Sequence, residues 1–415
     1  MVLGTRGDVQ PFVALARGLA AAGHEAVLAA PQRFEALADE HGVRFAGVDD
    51  GPIRLLDRAT SVAGEIAVSG VPGRVALARR LPAMFARVLD DCWHVASEGA
   101  GSNADVIVHN GQILGGQHVA ERLEVPAVLG LPSPVYVPTR EFPWPGQAMP
   151  ARLPRALNRL TFTGMKAPTV IFGRTIDRWR DELGLPRRRG RHNPLVGPDG
   201  SPVPVLHAIS RHVLPRPTDW PAAATVTGYW QLDDTSTAEL PPGLADFLAA
   251  GDRPVFVGFG SMPGLDPAEA TRTTVAAVRE AGLRVVIATG WGGLNPVSGE
   301  DVFALREVPH HLVFPHTAAV VHHGGAGTAG AAATAGRPQV VCPFVADQTF
   351  WGHRMHALGV APPPIHQRRL TVGRLATAIE SAVALTSSAE ELGTLVRSEN
   401  GVHEAVSRLE YVARP

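Results

Sequence analysis

Val320-Val321-His322-His323-Gly324-Gly325-Ala326-Gly327-Thr328-Ala329-Gly330 carries the sharpest signal in the chain. An apolar strand runs into a glycine turn, and a helix of small residues follows. A turn of this kind brings bare backbone N–H groups up to a ligand, because side chains there would block the approach. The helix N-terminus adds unsatisfied donors and a partial positive charge, so an anion is held without a metal. Thr328 adds a hydroxyl, and His322, at the strand end, is expected to donate to a phosphate oxygen. The bland alternative is a tight turn after a strand and nothing more. A metal site on the His-His pair lacks a carboxylate or third ligand at a suitable spacing. No Gly-Lys-Ser/Thr follows, as a Walker loop requires, and no GxGxxG is followed by an acidic residue about 20 positions on.

Working outward, the surrounding sequence alternates between short apolar strands and helical stretches. Strands are expected over residues 255–259, ending in Gly260-Ser261, over 284–288, ending in Thr289-Gly290-Trp291, over 318–322 and over 340–342. Helices are expected over 269–281 and 327–335. Upstream of Pro241-Pro242-Gly243, which reads as a linker, a second series appears. Met1-Val2-Leu3 is a stub of a strand before Gly4, so either the first strand is short or residues precede Met1. A helix over 11–22 ends at Gly23, and strands over 25–30 and 43–48 flank a helix over 34–41. A helix over 74–97 is expected to be interrupted at Pro82. Strands over 105–109 and 127–129 complete the series. Repeated strand–helix units of this kind build parallel sheets with helices on both faces. The expected fold is α/β, two Rossmann-like domains over 1–230 and 231–392 facing each other across a deep cleft. Residues 393–415, with a last helix over 402–411, are expected to cross back to the first domain.

Bulk composition narrows the classes. A chain of 415 residues is long enough for two or three domains, and 45% hydrophobic with 19% charged residues supports a large core. A formal net charge of −1 gives no global field for nucleic acid or for an anionic membrane. Cys92 and Cys342 lie far apart and form no CxxC spacing, so a zinc site or disulfide framework is not expected and a reducing cytoplasm fits. No apolar run approaches the roughly 18 residues of a spanning helix, so integral membrane association is not expected.

Three further features face the expected cleft. Asp8 follows the first strand, in the crevice where open α/β sheets bind ligands. Its bland reading is the N-cap of a helix beginning near Pro11. His109 and Asn110 end another strand of the same sheet. Residues 132–154 hold seven prolines together with Tyr136, Phe142 and Trp144, and read as a rigid aromatic surface loop.

The run from His322 to Thr328, with Pro343-Phe344-Val345-Ala346-Asp347-Gln348 downstream, resembles the donor-site signature of GT-B fold nucleotide-sugar glycosyltransferases. The likeness is strongest to sterol glucosyltransferases and vancomycin-type antibiotic glycosyltransferases. Further matches are Gly4-Thr5-Arg6-Gly7-Asp8-Val9-Gln10-Pro11, Gly258-Phe259-Gly260-Ser261-Met262, Ala288-Thr289-Gly290-Trp291-Gly292-Gly293-Leu294 and Val308-Pro309-His310-His311-Leu312. The resemblance covers nearly the whole chain and is weakest over 186–204.

The resemblance implies an inverting transferase that moves a hexose from a UDP- or dTDP-sugar, UDP-glucose first, to a hydroxyl of an apolar small molecule. No obligatory metal or other cofactor is implied, and no nucleic-acid partner. Ser261, His322 and the backbone of Gly324, Gly325, Ala326, Gly327 and Thr328 would hold the diphosphate, with Arg6 and Gly7 on the donor side of the first loop. Trp291, Val308 and His310 would lie along the base and ribose. Asp347 and Gln348 would face the sugar hydroxyls, a helix N-cap being the alternative for Asp347. Asp8 would be the general base. His109, Asn110, Tyr136, Phe142 and Trp144 are candidates on the acceptor side. Where related His-base enzymes carry an Asp partner, this chain has Asn110. A sugar-nucleotide epimerase and a non-catalytic auxiliary or aglycone-binding protein are the rival readings. The aromatic loop argues against the first and the intact donor motif against the second.

Overall fold

The computed structural model describes residues 1–55, 70–99, 101–147, 153–187, 190, 192–232, 239–260, 266–290, 294–297, 299–345 and 347–414. Three residues open the first sheet. The Met1 amino group donates to the Val108 carbonyl at 2.7 Å, Val2 N–H to the Ala29 carbonyl at 2.9 Å, and Asn110 N–H to the Met1 carbonyl at 3.1 Å. Met1 to Leu3 therefore lies between β1 (Val27–Pro31) and β3 (Ile107–His109). It joins the parallel pair of β1 and β2 (Arg44–Val48) to the parallel sheet of β3, β4 (Ala127–Leu131), β5 (Val205–His207) and β6 (Ala224–Val226).

The second sheet runs β11-β10-β7-β8-β9, all parallel: β7 is Val255–Gly258, β8 Val285–Ala288, β9 Val302–Leu305, β10 Ala319–His322 and β11 Gln339–Val341. Helices cover both faces, so these strands read as unbroken apolar runs. Val255 and Val257 pack with Ile379 and Ala277 on one side, while Phe256 and Val320 pack with Phe314 and Ala332 on the other. In each sheet the strand order reverses beside the first strand, and at such a switch point the crevice beyond the strand ends takes a ligand.

Two helices differ from expectation. The first spans Arg6–Ala21 with Pro11 inside it, because Thr5 and Asp8 close a capping box five residues before the expected start. The long helix Gly70–Ser97 runs through Pro82 without a break. β5, β6 and β9 were not anticipated. β5 and β6 are only three residues long and sit beside Pro204 and Pro221, which read as loop.

The chain's end returns to its start. Helix Thr386–Arg397 packs Ala389, Leu392 and Val396 against Ala329 and Ala333. Helix Gly401–Val412 then lays Ala405, Val406 and Leu409 on Val9, Phe12 and Val13 of the first helix. The two passages between the sheets touch. A Cβ on Gly228, where the chain leaves the first sheet, would stand 3.0 Å from the Gly401 Cα, and one on Gly401 would stand 2.3 Å from the Tyr229 carbonyl. Phe142 and Phe350 add an aromatic contact between the halves, ring centroids 5.1 Å apart.

Candidate active site

The glycine turn follows β10 and opens helix Ala326–Thr334. Gly324 needs its glycine: its φ is +94°, and a Cβ would lie 2.7 Å from Val341 Cγ1 and 2.8 Å from the Gln348 carbonyl. Gly325 is the N-cap residue and supplies no side-chain acceptor, so the first N–H groups of the helix keep their donor capacity. A Cβ on Gly327 would meet open space, and Thr328 is half-buried beside it.

His322 does not face this turn's ligand side, contrary to expectation. It is fully buried. Gly324 N–H donates to its Nδ1 at 3.0 Å, so the proton sits on Nε2, which donates to Gln339 Oε1 at 2.9 Å. Gln339 Nε2 in turn donates to the Ala329 carbonyl at 3.2 Å. Burial first, then the neighbouring His323, lowers His322 to about 3, so the ring is neutral. Both nitrogens are used to fix the turn, and none is left for a phosphate.

His323 is the residue the sequence reading missed. Its ring lies over the glycines of both switch-point loops. Its Nε2 stands 2.5 Å from where a Gly325 Cβ would be, and its Cε1 3.5 Å from the corresponding point on Gly260. Its Nδ1 is buried without a hydrogen-bond partner. Burial lowers this imidazole to about 4, so it too is neutral and carries one N–H donor. His322 ends the strand and His323 begins the turn, and their rings stand at 83° to each other with centroids 6.4 Å apart, so the two do not share one role.

Around this pair stand the other donor-side residues. His310 stacks on Phe314 with centroids 4.4 Å apart. Burial, then the Arg6 charge and His323, lower it to about 4, which places all three near one another. Arg6, exposed at the start of the first helix, reaches across to Glu307 at 3.4 Å. Gly7, next to it, is exposed. The Val308 side chain belongs to the core with Phe256 and Phe314. Ser261 and Trp291 lie outside the described residues.

Asp347 occupies the N-cap position of helix Gln348–Ala357, yet its side chain caps nothing. Oδ2 instead accepts from the Ser133 hydroxyl at 2.9 Å and from Trp351 Nε1 at 3.0 Å. Burial raises its carboxyl above the usual range. Gln348 is buried and turned back: its Oε1 accepts from Phe344 N–H at 2.8 Å and Val345 N–H at 3.0 Å.

Opposite stands Asp8, half-buried at the third position of the first helix. Thr5 donates to its Oδ2 through N–H at 2.8 Å and through the hydroxyl at 3.1 Å, and Gln112 Nε2 approaches Oδ1 at 3.4 Å. Burial, opposed by the Thr5 bonds and helped by the Asp347 charge, raises the carboxyl to about 6. A carboxylate of that strength takes up a proton readily near neutral pH. Asp8 is thus not the N-cap, which is Thr5, but the reciprocal partner in the capping box.

On the acceptor side the candidates separate. The Tyr136 ring lies against Gly111, a Cβ there falling 2.0 Å from Cζ, and the Asp8 charge reaches its hydroxyl. Asn110 is spent on the backbone: its amide donates to the Leu3 carbonyl at 2.8 Å, and its Oδ1 accepts from Leu3 and Ile113 N–H, each at 3.2 Å. His109 is buried under Gly116, its Nδ1 3.1 Å from the Asn110 carbonyl, and burial lowers it to about 3. The loop aromatics are packed rather than displayed. Phe142 meets Phe350, and Trp144 donates Nε1 to the Val135 carbonyl at 2.9 Å while lying against Gly146 and Gly164. Among the described residues, no group of three His, Cys, Asp or Glu side chains is placed to hold a metal ion.

Two parallel sheets whose switch points face each other, one beside a carboxylate and the other beside a bare helix N-terminus, are arranged as in the GT-B architecture. Residues 1–139 match the glycosyltransferase family 28 N-terminal domain, and residues 294–410 match the erythromycin biosynthesis protein CIII-like C-terminal domain. The chain has the GT-B glycosyltransferase fold, and its two halves match these two domain families. A sterol 3-beta-glucosyltransferase of Arabidopsis thaliana is 34% identical over 98% of this chain and 64% of its own length. One of Emericella nidulans is 32% identical over 99% of this chain and 29% of its own length. The chain thus spans less than two thirds of the length of these curated relatives. A spinosyn rhamnosyltransferase solved with thymidine diphosphate has a TM-score of 0.62 at 19% identity, covering 99% of this chain and 98% of the other, a likeness of fold.

Proposed function

We propose that this chain is an inverting, metal-independent glycosyltransferase that moves a hexose from a UDP- or dTDP-sugar to a hydroxyl of an apolar small molecule, a sterol or natural-product aglycone. In this reading residues 1–230 hold the acceptor and residues 231–392 the donor. The observation that carries it is Asp8: a carboxyl raised to about 6 stands across the cleft from a bare glycine turn and an uncapped helix N-terminus. Asp8 takes the proton of the acceptor hydroxyl. The acceptor oxygen attacks the anomeric carbon, and the carbon–oxygen bond to the diphosphate breaks with its electron pair leaving on phosphate. The N–H groups from Gly325 to Thr328 and His323 stabilise that developing charge without a metal, the Gly324 N–H being held by His322. A single displacement inverts the anomeric centre.

Asp347 supports the sugar assignment, since its carboxylate reaches across to Ser133 and leaves the first N–H groups of its own helix uncapped. The acceptor class rests on the sterol 3-beta-glucosyltransferase relatives, and the dTDP alternative on the thymidine diphosphate bound to a neighbour in fold. Purified protein should be offered UDP-glucose and dTDP-glucose with a panel of apolar alcohols, products read by mass spectrometry and anomeric configuration by NMR. Donor hydrolysis with no glycoside from any acceptor, or a retained configuration, would overturn the proposal.

A further inference from the structure

The stretch from residue 142 to 176 contains no Asp or Glu. Within it, helix Arg155–Thr161 and helix Ala167–Glu182 are joined by the turn Phe162–Lys166. Their inner side holds the proline-rich loop: Asn158 Nδ2 donates to the Arg140 carbonyl at 2.9 Å, Trp144 N–H to Thr161 Oγ1 at 2.7 Å, and Phe162 lies 6.3 Å from Phe142. The outer side is apolar and uncovered. Leu157 is 47% exposed, Leu160 62%, Val170 81% and Ile171 58%, the four together outnumbering the large apolar side chains exposed elsewhere among the described residues. Arg155, Arg159, Lys166 and Arg174 stand exposed among them.

An apolar face rimmed by cations, Arg159 among them paired with Asp219 at 3.8 Å, is complementary to one kind of surface, an anionic lipid headgroup layer over hydrocarbon. We propose that this helical pair docks the chain onto an anionic bilayer, Leu157, Leu160, Val170 and Ile171 entering the headgroup boundary and the Arg and Lys side chains meeting lipid phosphates and carboxylates. The net charge of −1 does not oppose this, because such contacts act within a Debye length. No helix among the described residues is long and apolar enough to cross a membrane, so the docking is peripheral. The docked face is the back of the loop that carries Tyr136, Phe142 and Trp144. If the chain glycosylates an apolar alcohol, as proposed above, its acceptor would be drawn from the bilayer beside that loop. The docking itself does not depend on that reading.

Flotation of the full chain with vesicles, without donor or acceptor, tests the proposal. The chain should float with phosphatidylcholine–phosphatidylserine vesicles and not with phosphatidylcholine alone, and high salt should weaken the association. The double substitution Val170→Asp with Ile171→Asp changes two exposed positions and should leave the circular dichroism spectrum unchanged while abolishing flotation. Lys166→Gln and Arg174→Gln should each lower partition about fivefold. Wild-type chain that stays off anionic vesicles, or variants that float as well as it does, would overturn the proposal. So would a wild-type dimer that the aspartates dissociate, with no flotation, since the face would then pair with a second copy. Transfer to a water-soluble acceptor, measured separately, should be unaffected by the aspartates. Its absence in wild type speaks against the transferase reading alone.

Discussion

The Ser133 hydroxyl, at the end of the first sheet, donates to Asp347 Oδ2 at the start of a helix of the second domain, 2.9 Å away. The contact draws a buried carboxylate into the cleft, where its charge is felt by Asp8. One residue proposed to hold the sugar is therefore coupled to the residue proposed to take the proton. Asp347→Asn should remove that repulsion and move the acid limb of the kcat/KM profile to lower pH. An unchanged limb would show that burial alone sets the Asp8 carboxyl.

Asp8 itself must be ionised to act as a base, so kcat/KM should fall as pH drops through about 6. The stability sign runs the other way. A carboxyl raised by folding stabilises the fold while protonated, and that contribution is lost as pH rises from the unfolded value of 3.8 through about 6. Asp8→Asn keeps an amide oxygen for Thr5, so the melting temperature should change little, and above pH 6 it should shift in the variant's favour. Turnover should fall by about two to four orders of magnitude with donor affinity unaltered. Wild-type turnover in Asp8→Asn would remove this residue from the mechanism.

The two histidines of the turn should part company on mutation. His323→Ala should weaken UDP or dTDP binding by about 1–3 kcal/mol in calorimetric titration, with the melting temperature held. His322→Ala breaks buried hydrogen bonds to Gly324 and Gln339, so it should lower the melting temperature first. Equal loss of donor affinity without loss of stability in His322→Ala would reverse the assignment.

Acid should be the chain's weak side. His109 and His322 are lowered to about 3, and His118, His207, His310 and His323 to about 4, in each case first by burial. Groups depressed by folding contribute stability above the unfolded value near 6.5 and lose it as pH falls towards the folded values. Thermal melts from pH 7 to 4 should show a steep decline beginning near 6.5; a flat profile would mean these rings are not buried neutral in solution.

Turnover should survive EDTA, because the helix N-terminus supplies the positive potential the leaving group needs. Complete loss on chelation, restored by Mg²⁺ or Mn²⁺, would contradict that account.

The glycine turn was legible because it is local: strand, glycines and helix follow one another in sequence and need no partner to be recognised. The start of the first helix was misplaced for a related reason. Pro11 is a strong local signal for a first turn, whereas Thr5 and Asp8 form a capping box with Asp in place of the usual Glu or Gln. His322 and His323 illustrate the limit more sharply. Which of two adjacent residues faces the core depends on Gln339, seventeen positions away and on another strand, and nothing in the run of residues fixes that. Asn110 likewise looked like a cleft residue, and its partner Leu3 lies 107 positions upstream.

The contact between Gly228 and Gly401 has a mechanical consequence. Both peptide passages between the halves run through one spot, with no room for even a methyl group between them. Passages set far apart would act like the two pins of a door and allow a swing about the line joining them. Passages that coincide act like the rivet of a pair of tweezers. Displacement then grows with distance from the rivet, so Phe142 and Phe350, which pack in one cluster with Tyr229, should move apart least.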